Sequence, residues 1–143
     1  MHLGHIPKQF QKLSERHGLD YFLAGAASAE DIRRAEGRLG VSLPEQVKLF
    51  YRSYNGLWVD DPQLEVLPLE RLEMDGPARL HFATLDRGRR LYFDVSHVNA
   101  AGQWDIVTDD GYRVTLTMAS FWSNKIWAWV EKRRAIWQAD AGH

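Results

Sequence analysis

SAEDIRRAEGRLGVSLPEQVKLFYRSYNG, residues 28–56, spells out two short amphipathic helices joined by a tight turn. Ser28 suits an N-cap, because its hydroxyl can accept from an otherwise unpaired N–H, and Asp31 three positions on is a short-armed capping-box acid. Glu30 and Asp31 put negative charge at the positive end of the helix dipole. Ile32, Ala35 and Leu39 recur at i, i+3 and i+7 as one apolar stripe, with Arg33, Arg34 and Arg38 on the wet side. Gly40 supplies a left-handed stop, and Val41 can fold back on the last turn. The second helix is predicted to begin with Pro44 as its first residue, where a fixed φ and a missing N–H do no harm. Val47, Phe50, Tyr51 and Tyr54 form its buried stripe, and Asn55-Gly56 ends it. Nothing here is chemically reactive, so the residues alone make this a packing element.

Outward from this pair the chain reads as α+β. Ile6, Phe10 and Leu13, around Pro7, predict a first helix that stops at Gly18. Extended pieces are predicted over 56–59, 64–67, 80–84, 90–95, 104–108 and 112–116. Asp86-Arg87-Gly88 and Asp109-Asp110-Gly111 are turn signals, since Gly and Asp tolerate positive φ. Short consecutive strands with tight turns mean an antiparallel meander of about five or six strands, not a parallel nucleotide-binding sheet. Phe121, Trp122, Ile126, Trp129, Val130, Ile136 and Trp137 fall near one face at a helical period, predicting a long last helix from about Ser120 to Trp137.

With 143 residues the chain is long enough to bury one core, and it is read as a single domain. There are no cysteines, so disulfides and thiolate chemistry are excluded. The start, MHLGHIPKQF, has no apolar signal region and no stretch approaches membrane-spanning length, which makes the cytoplasm the expected compartment. Eighteen Lys+Arg against nineteen Asp+Glu gives a net charge of −1, which argues against a basic nucleic-acid footprint covering the whole domain.

The opening segment also resembles a known family. Ala35-Glu36, Leu39-Gly40, Leu43-Pro44, Phe50 and Asn55-Gly56 look like the signature of the SUKH superfamily (Smi/Knr-like), which comprises bacterial immunity proteins of polymorphic toxin systems and fungal regulators of cell-wall synthesis. Residues 64–67 and 80–84 resemble its following strands, and Ser120-Phe121 the opening of its last helix. The likeness covers residues 28–130. It leaves 1–27 as an N-terminal helix and connector and 131–143 as a helical extension. It departs at Val47, where the family often has an aromatic. The resemblance implies an antiparallel sheet with N-terminal helices and a long C-terminal helix packed against it. It also implies a non-enzymatic protein-binding role, with no cofactor.

Candidate chemistry is sparse. His2, His5, His17, His81, His97 and His143 follow no metal-ligand spacing, and scattered surface histidines are the plainer reading. His81 and His97 could approach Asp94 in the sheet as an acid–base cluster. From Asp60 to Asp75 six acids (Asp60, Asp61, Glu65, Glu70, Glu73, Asp75) stand against one base, Arg71, for a net −5. A solvated face explains any one of them, but the run as a whole fits a surface that steers a basic partner. Conversely, Arg79, Arg87, Arg89 and Arg90 with Lys132, Arg133 and Arg134 could form a nucleic-acid patch, with Trp127 and Trp137 as stacking platforms. Six tryptophans mostly serve a core, where each stabilises by roughly 2–3 kcal/mol. Trp58, beside the acids and near a turn, instead has the character of a binding anchor.

Three readings follow. The first is an immunity protein that neutralises a cognate toxin, with a nuclease as the candidate class, through Trp58, Asp60, Asp61, Glu65, Glu70, Glu73 and Asp75. The second is a regulatory scaffold that binds an endogenous protein. The third is a small hydrolase using His81, Asp94 and His97.

Overall fold

The computed structural model describes residues 1–139. Helix α1 (His5–His17) buries Ile6, Phe10 and Leu13 and stops at Gly18, which takes the left-handed conformation the sequence called for. In α2 (Ala29–Leu39) the capping box is closed from both sides. Asp31 N–H donates to Ser28 Oγ and Ser28 N–H to the Asp31 carboxylate, each at 3.0 Å. Those bonds hold the Asp31 pKa below the ordinary carboxylate value. Gly40 N–H and Val41 N–H both return to Glu36 O, closing the far end. Helix α3 (Glu45–Ser53) starts one residue later than predicted. Pro44 keeps an extended ψ of 162° and caps the helix from outside it, its carbonyl accepting from Lys48 N–H. Ile32 and Ala35 are buried, as are Val47, Phe50 and Tyr51; Leu39 and Tyr54 lie at the margin of the core.

The sheet is antiparallel throughout and has eight strands: β1 (Tyr21–Leu23), β2 (Leu57–Val59), β3 (Leu64–Val66), β4 (Glu73–Met74), β5 (Arg79–Leu85), β6 (Arg89–Asp94), β7 (Ile106–Thr108) and β8 (Arg113–Thr115). The order is β1-β2-β3-β5-β6-β7-β8, with β4 pairing β5 beyond the end of β3. All six predicted strands form. The two additional ones, β1 and β4, have three and two residues, too few to show an alternation in sequence. A bulge between His81 and Ala83 turns both Phe82 and Ala83 into the core, where Phe82 stacks on Phe93 at 3.9 Å and meets Phe121 edge-on.

The last helix differs most from its prediction. It spans 118–130, opening at Met118–Ser120 under a Thr117 cap, widening into a π turn at Phe121–Lys125 and closing as Ile126–Val130. We refer to it as α4. A π turn spends more residues per turn, so the 3.6-residue phase assumed for 120–137 is lost within it. After Glu131 the chain is not helical, and Arg133 adopts a positive φ of 54°. Ile136 still reaches the core and Trp137 packs edge-on against Trp129 at 5.2 Å, but on a chain that turns back. The helical extension expected over 131–143 is therefore absent over 131–139; its remainder, with His143, lies outside the described residues.

The joint between α3 and β2 holds these layers in place. Gly56 has φ +94°, and a Cβ there would meet Val66 O at 2.8 Å and Pro68 N at 2.9 Å. Asn55 N–H donates to Gly25 O, and its side-chain oxygen accepts from Leu69 N–H at 2.9 Å. The fully buried Tyr51 hydroxyl donates to Leu67 O at 2.7 Å, and burial pushes its pKa far up. Gly56→Ala is expected to destabilise the fold by about 2–3 kcal/mol, since it combines a strained φ with backbone collision. Ser28→Ala should cost only about 1 kcal/mol. Urea midpoints at unchanged m-value measure both, and equal costs would refute this ranking.

Candidate functional site

Where the inner face of the sheet carries Leu57, Val59, Leu64 and Val66, the alternate residues point outward. The register lines up Phe22, Trp58, Glu65, Thr84 and Arg90 as one row across β1, β2, β3, β5 and β6. Phe22 is 56% and Trp58 40% exposed, an aromatic cross-strand pair on the open face. Beside it lies an open groove of about 380 Å³ walled by Phe22, Trp58, Gly56, Glu65, Pro68 and Glu70. Glu65 accepts from Arg71 at 2.8 Å, and Glu70 is held at 3.0 Å by the Asn55 amide. Both contacts are exposed, so they orient the acids more than they stabilise the fold.

The acidic run does not stay together. Asp60 and Asp61 flank the turn after β2, where Asp61 pairs with Arg133 at 2.8 Å. Glu65 and Glu70 border the groove. Glu73 pairs in register with His81, and Asp75 accepts from the Tyr92 hydroxyl at 3.0 Å. Arg71 and Arg90 are interleaved among them around a second hollow of about 490 Å³, which Glu70, Glu73 and His81 also line. A run of −5 in sequence thus becomes a mixed-charge face with Trp58 near one end.

The acid–base cluster is not assembled. His81 Nε2 lies 3.0 Å from both Ala83 O and Thr84 Oγ1, and a carbonyl only accepts, so Nε2 carries the proton. Asp94 accepts from Ser96 N–H and from Ser96 Oγ–H at 2.6 Å, while His97 Nδ1 contacts Ser96 Oγ at 3.2 Å. With the serine hydroxyl given to the carboxylate, the histidine does not stand between them as a general base would. Among the described residues no group of three His, Asp or Glu could hold a metal ion.

The basic–aromatic patch is assembled only in part, through the contact of Arg89 with Trp137. Trp127 is partly buried, packed edge-on against Phe10 at 5.1 Å, and donates from Nε1 to Trp122 O, so it is held against the core and not set out as a stacking platform. Trp137 is taken up by Trp129 and by the Arg89 guanidinium, 4.6 Å from its ring centre. Arg79 donates to Asp109 O, and Arg133 is engaged by Asp61. Phe22 went unrecognised in the sequence because only the pairing of β1 with β2, 36 residues away, brings it beside Trp58.

Several signature residues make packing contacts, and Asn55 and Gly56 also border the groove. The Glu36 carboxylate accepts from Leu43 N–H at 2.8 Å and so clamps the turn between α2 and α3, while Leu43 is buried. The helices pack on one face of the antiparallel sheet, and the other face carries the exposed aromatic pair among charged residues. The chain belongs to the SMI1 / KNR4 family (SUKH-1), whose model matches residues 26–123, a family of immunity and regulatory domains. None of the curated proteins compared with it matches the chain. Among the described residues no helix is long and apolar enough to cross a membrane.

His81 carries a pH prediction. Burial, then the nearby Arg90 guanidinium, holds its pKa below the ordinary histidine value, with Glu73 and Asp75 acting more weakly the other way. The unfolded chain therefore binds this proton first as pH falls. The contribution of neutral His81 is full above the unfolded pKa of about 6.5 and is lost below it, down through the folded pKa. Urea midpoints should fall between pH 7 and pH 5 more steeply for the wild type than for His81→Gln; parallel profiles would refute the assignment.

Proposed function

We propose that the protein is an immunity protein that acts in the cytoplasm and neutralises a cognate toxin by covering its working surface. The observation that carries this reading is the exposed Phe22–Trp58 pair, set beside Glu65 and Glu70 on an otherwise well-packed domain. An exposed aromatic rimmed by charge is the usual composition of a binding hot spot. Trp58 is the anchor, and Glu65 and Glu70 are its nearest charged contacts. Asp60, Asp61, Glu73 and Asp75 lie further out on separate parts of this face, Asp61 and Asp75 already engaged by Arg133 and Tyr92, and add a weaker acidic bias towards a basic toxin such as a nuclease. Membership of a family of immunity and regulatory domains supports the same reading.

Co-expression with the toxin encoded next to this chain should restore growth and give a stable complex. Trp58→Ala should weaken that complex by about thirtyfold or more, the factor corresponding to a hot-spot loss of about 2 kcal/mol. Glu65→Gln with Glu70→Gln should slow association at low salt while leaving dissociation nearly unchanged. Failure to bind or rescue, together with the absence of a toxin gene nearby, would transfer the surface to the regulatory reading, in which the partner is an endogenous protein.

A further inference from the structure

We infer that two copies of this chain pair edge to edge through β1, antiparallel, about a two-fold axis at Phe22. The hydrogen-bond parity of β1 sets this out. Ala24 N–H donates to Gly56 O and Asp60 N–H to Asp20 O, so the positions that exchange bonds with β2 are 20, 22 and 24. Tyr21 and Leu23, between them, aim both N–H and C=O away from β2. Among the described residues no hydrogen bond ends on those four groups. A strand edge left in this state is a template for another strand.

The two edges of the sheet are treated differently. At the β8 edge Arg113 is exposed, the carbonyl of Leu116 is taken by the Asn99 amide at 2.8 Å, and α4 follows within a few residues. At the β1 edge Tyr21, Phe22 and Leu23 carry no charge, proline or bulge, which are the devices that blunt edges. Phe22 there is more than half exposed.

A second copy fits this edge without remainder. With Phe22 opposite its counterpart, Tyr21 of each copy exchanges both bonds with Leu23 of the other, and all four outward groups of each strand are used. The two Phe22 residues become a non-hydrogen-bonded pair, the closer kind, on the outer face. The row then reads Glu65, Trp58, Phe22, Phe22, Trp58, Glu65, with aromatics inside and acids outside. At about 4.8 Å per strand the two Glu65 residues stand roughly 24 Å apart, and the two Asp20 residues roughly 14 Å. Both separations exceed the screening length of about 8 Å at physiological ionic strength, so the acids do not oppose pairing. Three residues per strand make a small interface, and such a dimer dissociates on dilution.

The inference does not rest on the toxin reading, although both use the face that carries Phe22, and its experiment uses the full chain alone. Sedimentation equilibrium from about 10 µM to 1 mM should show a concentration-dependent rise from monomer to dimer mass, reporting association in the Kd range of weak complexes. Phe22→Lys should weaken the dimer at least tenfold with an unchanged circular dichroism spectrum. Leu23→Pro removes an outward N–H without touching the β2 ladder and should do the same. In the wild type, amide exchange at Tyr21 and Leu23 should slow as concentration rises, while Phe22 stays constant. That readout decides the matter even if both variants fail to fold. A monomer throughout, or a dimer whose Tyr21 and Leu23 amides gain no protection, overturns the inference.

Discussion

The contact on which most of this molecule depends is the approach of two backbones at Gly56. No side chain fits there, because Val66 O and Pro68 N already occupy the space. That contact brings the end of α3 against the strand leaving β3 and leaves Asn55 beside the turn that follows. Asn55 then holds Leu69 N–H and the Glu70 carboxylate, and Tyr51 reaches Leu67 O from one turn back. Trp58 stands two residues beyond, so the depth of its groove and the positions of Glu70 and Arg71 follow from this one joint. The packing constraint and the candidate surface share the same residues, which is why the signature positions lie next to the candidate surface.

The helices were legible because their ends are written locally. Ser28, Asp31 and Gly40 act through atoms within one turn of themselves, and their geometry is the one their chemistry implies. Pro44 was misplaced by one residue because a fixed φ near −62° serves a cap as well as a first helical position. The last helix ends short of its predicted bound because its hydrophobic spacing implies one constant period, and a π turn at Phe121–Lys125 breaks that period. β1 and β4 were invisible for a different reason: two or three residues become strands only when a longer partner recruits them. For the surface, the exposure of Trp58 could be argued from its neighbours, whereas Phe22 could not. The acidic run misled in the opposite sense. It is continuous along the chain, but the fold separates it onto the turn after β2, the groove and the β4 side, and sets arginines between the parts.

The core itself leans on aromatic contacts between helices. Trp122 stacks on Phe50 at 5.4 Å, meets Phe121 and Trp127 edge-on, and offers its carbonyl to His5 and to the Trp127 indole. Its own Nε1 is buried without a partner among the described residues, a penalty of about 1–3 kcal/mol that the surrounding ring contacts must outweigh. Trp129 ties the other end of α4 to the turn after β2 through Gln63 O. The C-terminal helix thereby fastens α1, α3 and the sheet together.

The matched stretch ends at residue 123, inside the π turn of α4. Phe10, Trp127 and Trp129 lie outside it, yet they pack against or brace what lies within. The recognisable scaffold is thus smaller than the packed unit. If such scaffolds are exchanged between genes as cassettes, a viable breakpoint must fall before α1 and after Trp137, since Ile136 and Trp137 still pack on the core and on Trp129. A crossover at the far border of the matched stretch would unite half of α4 with a foreign half-turn and leave a tryptophan cluster with no lid.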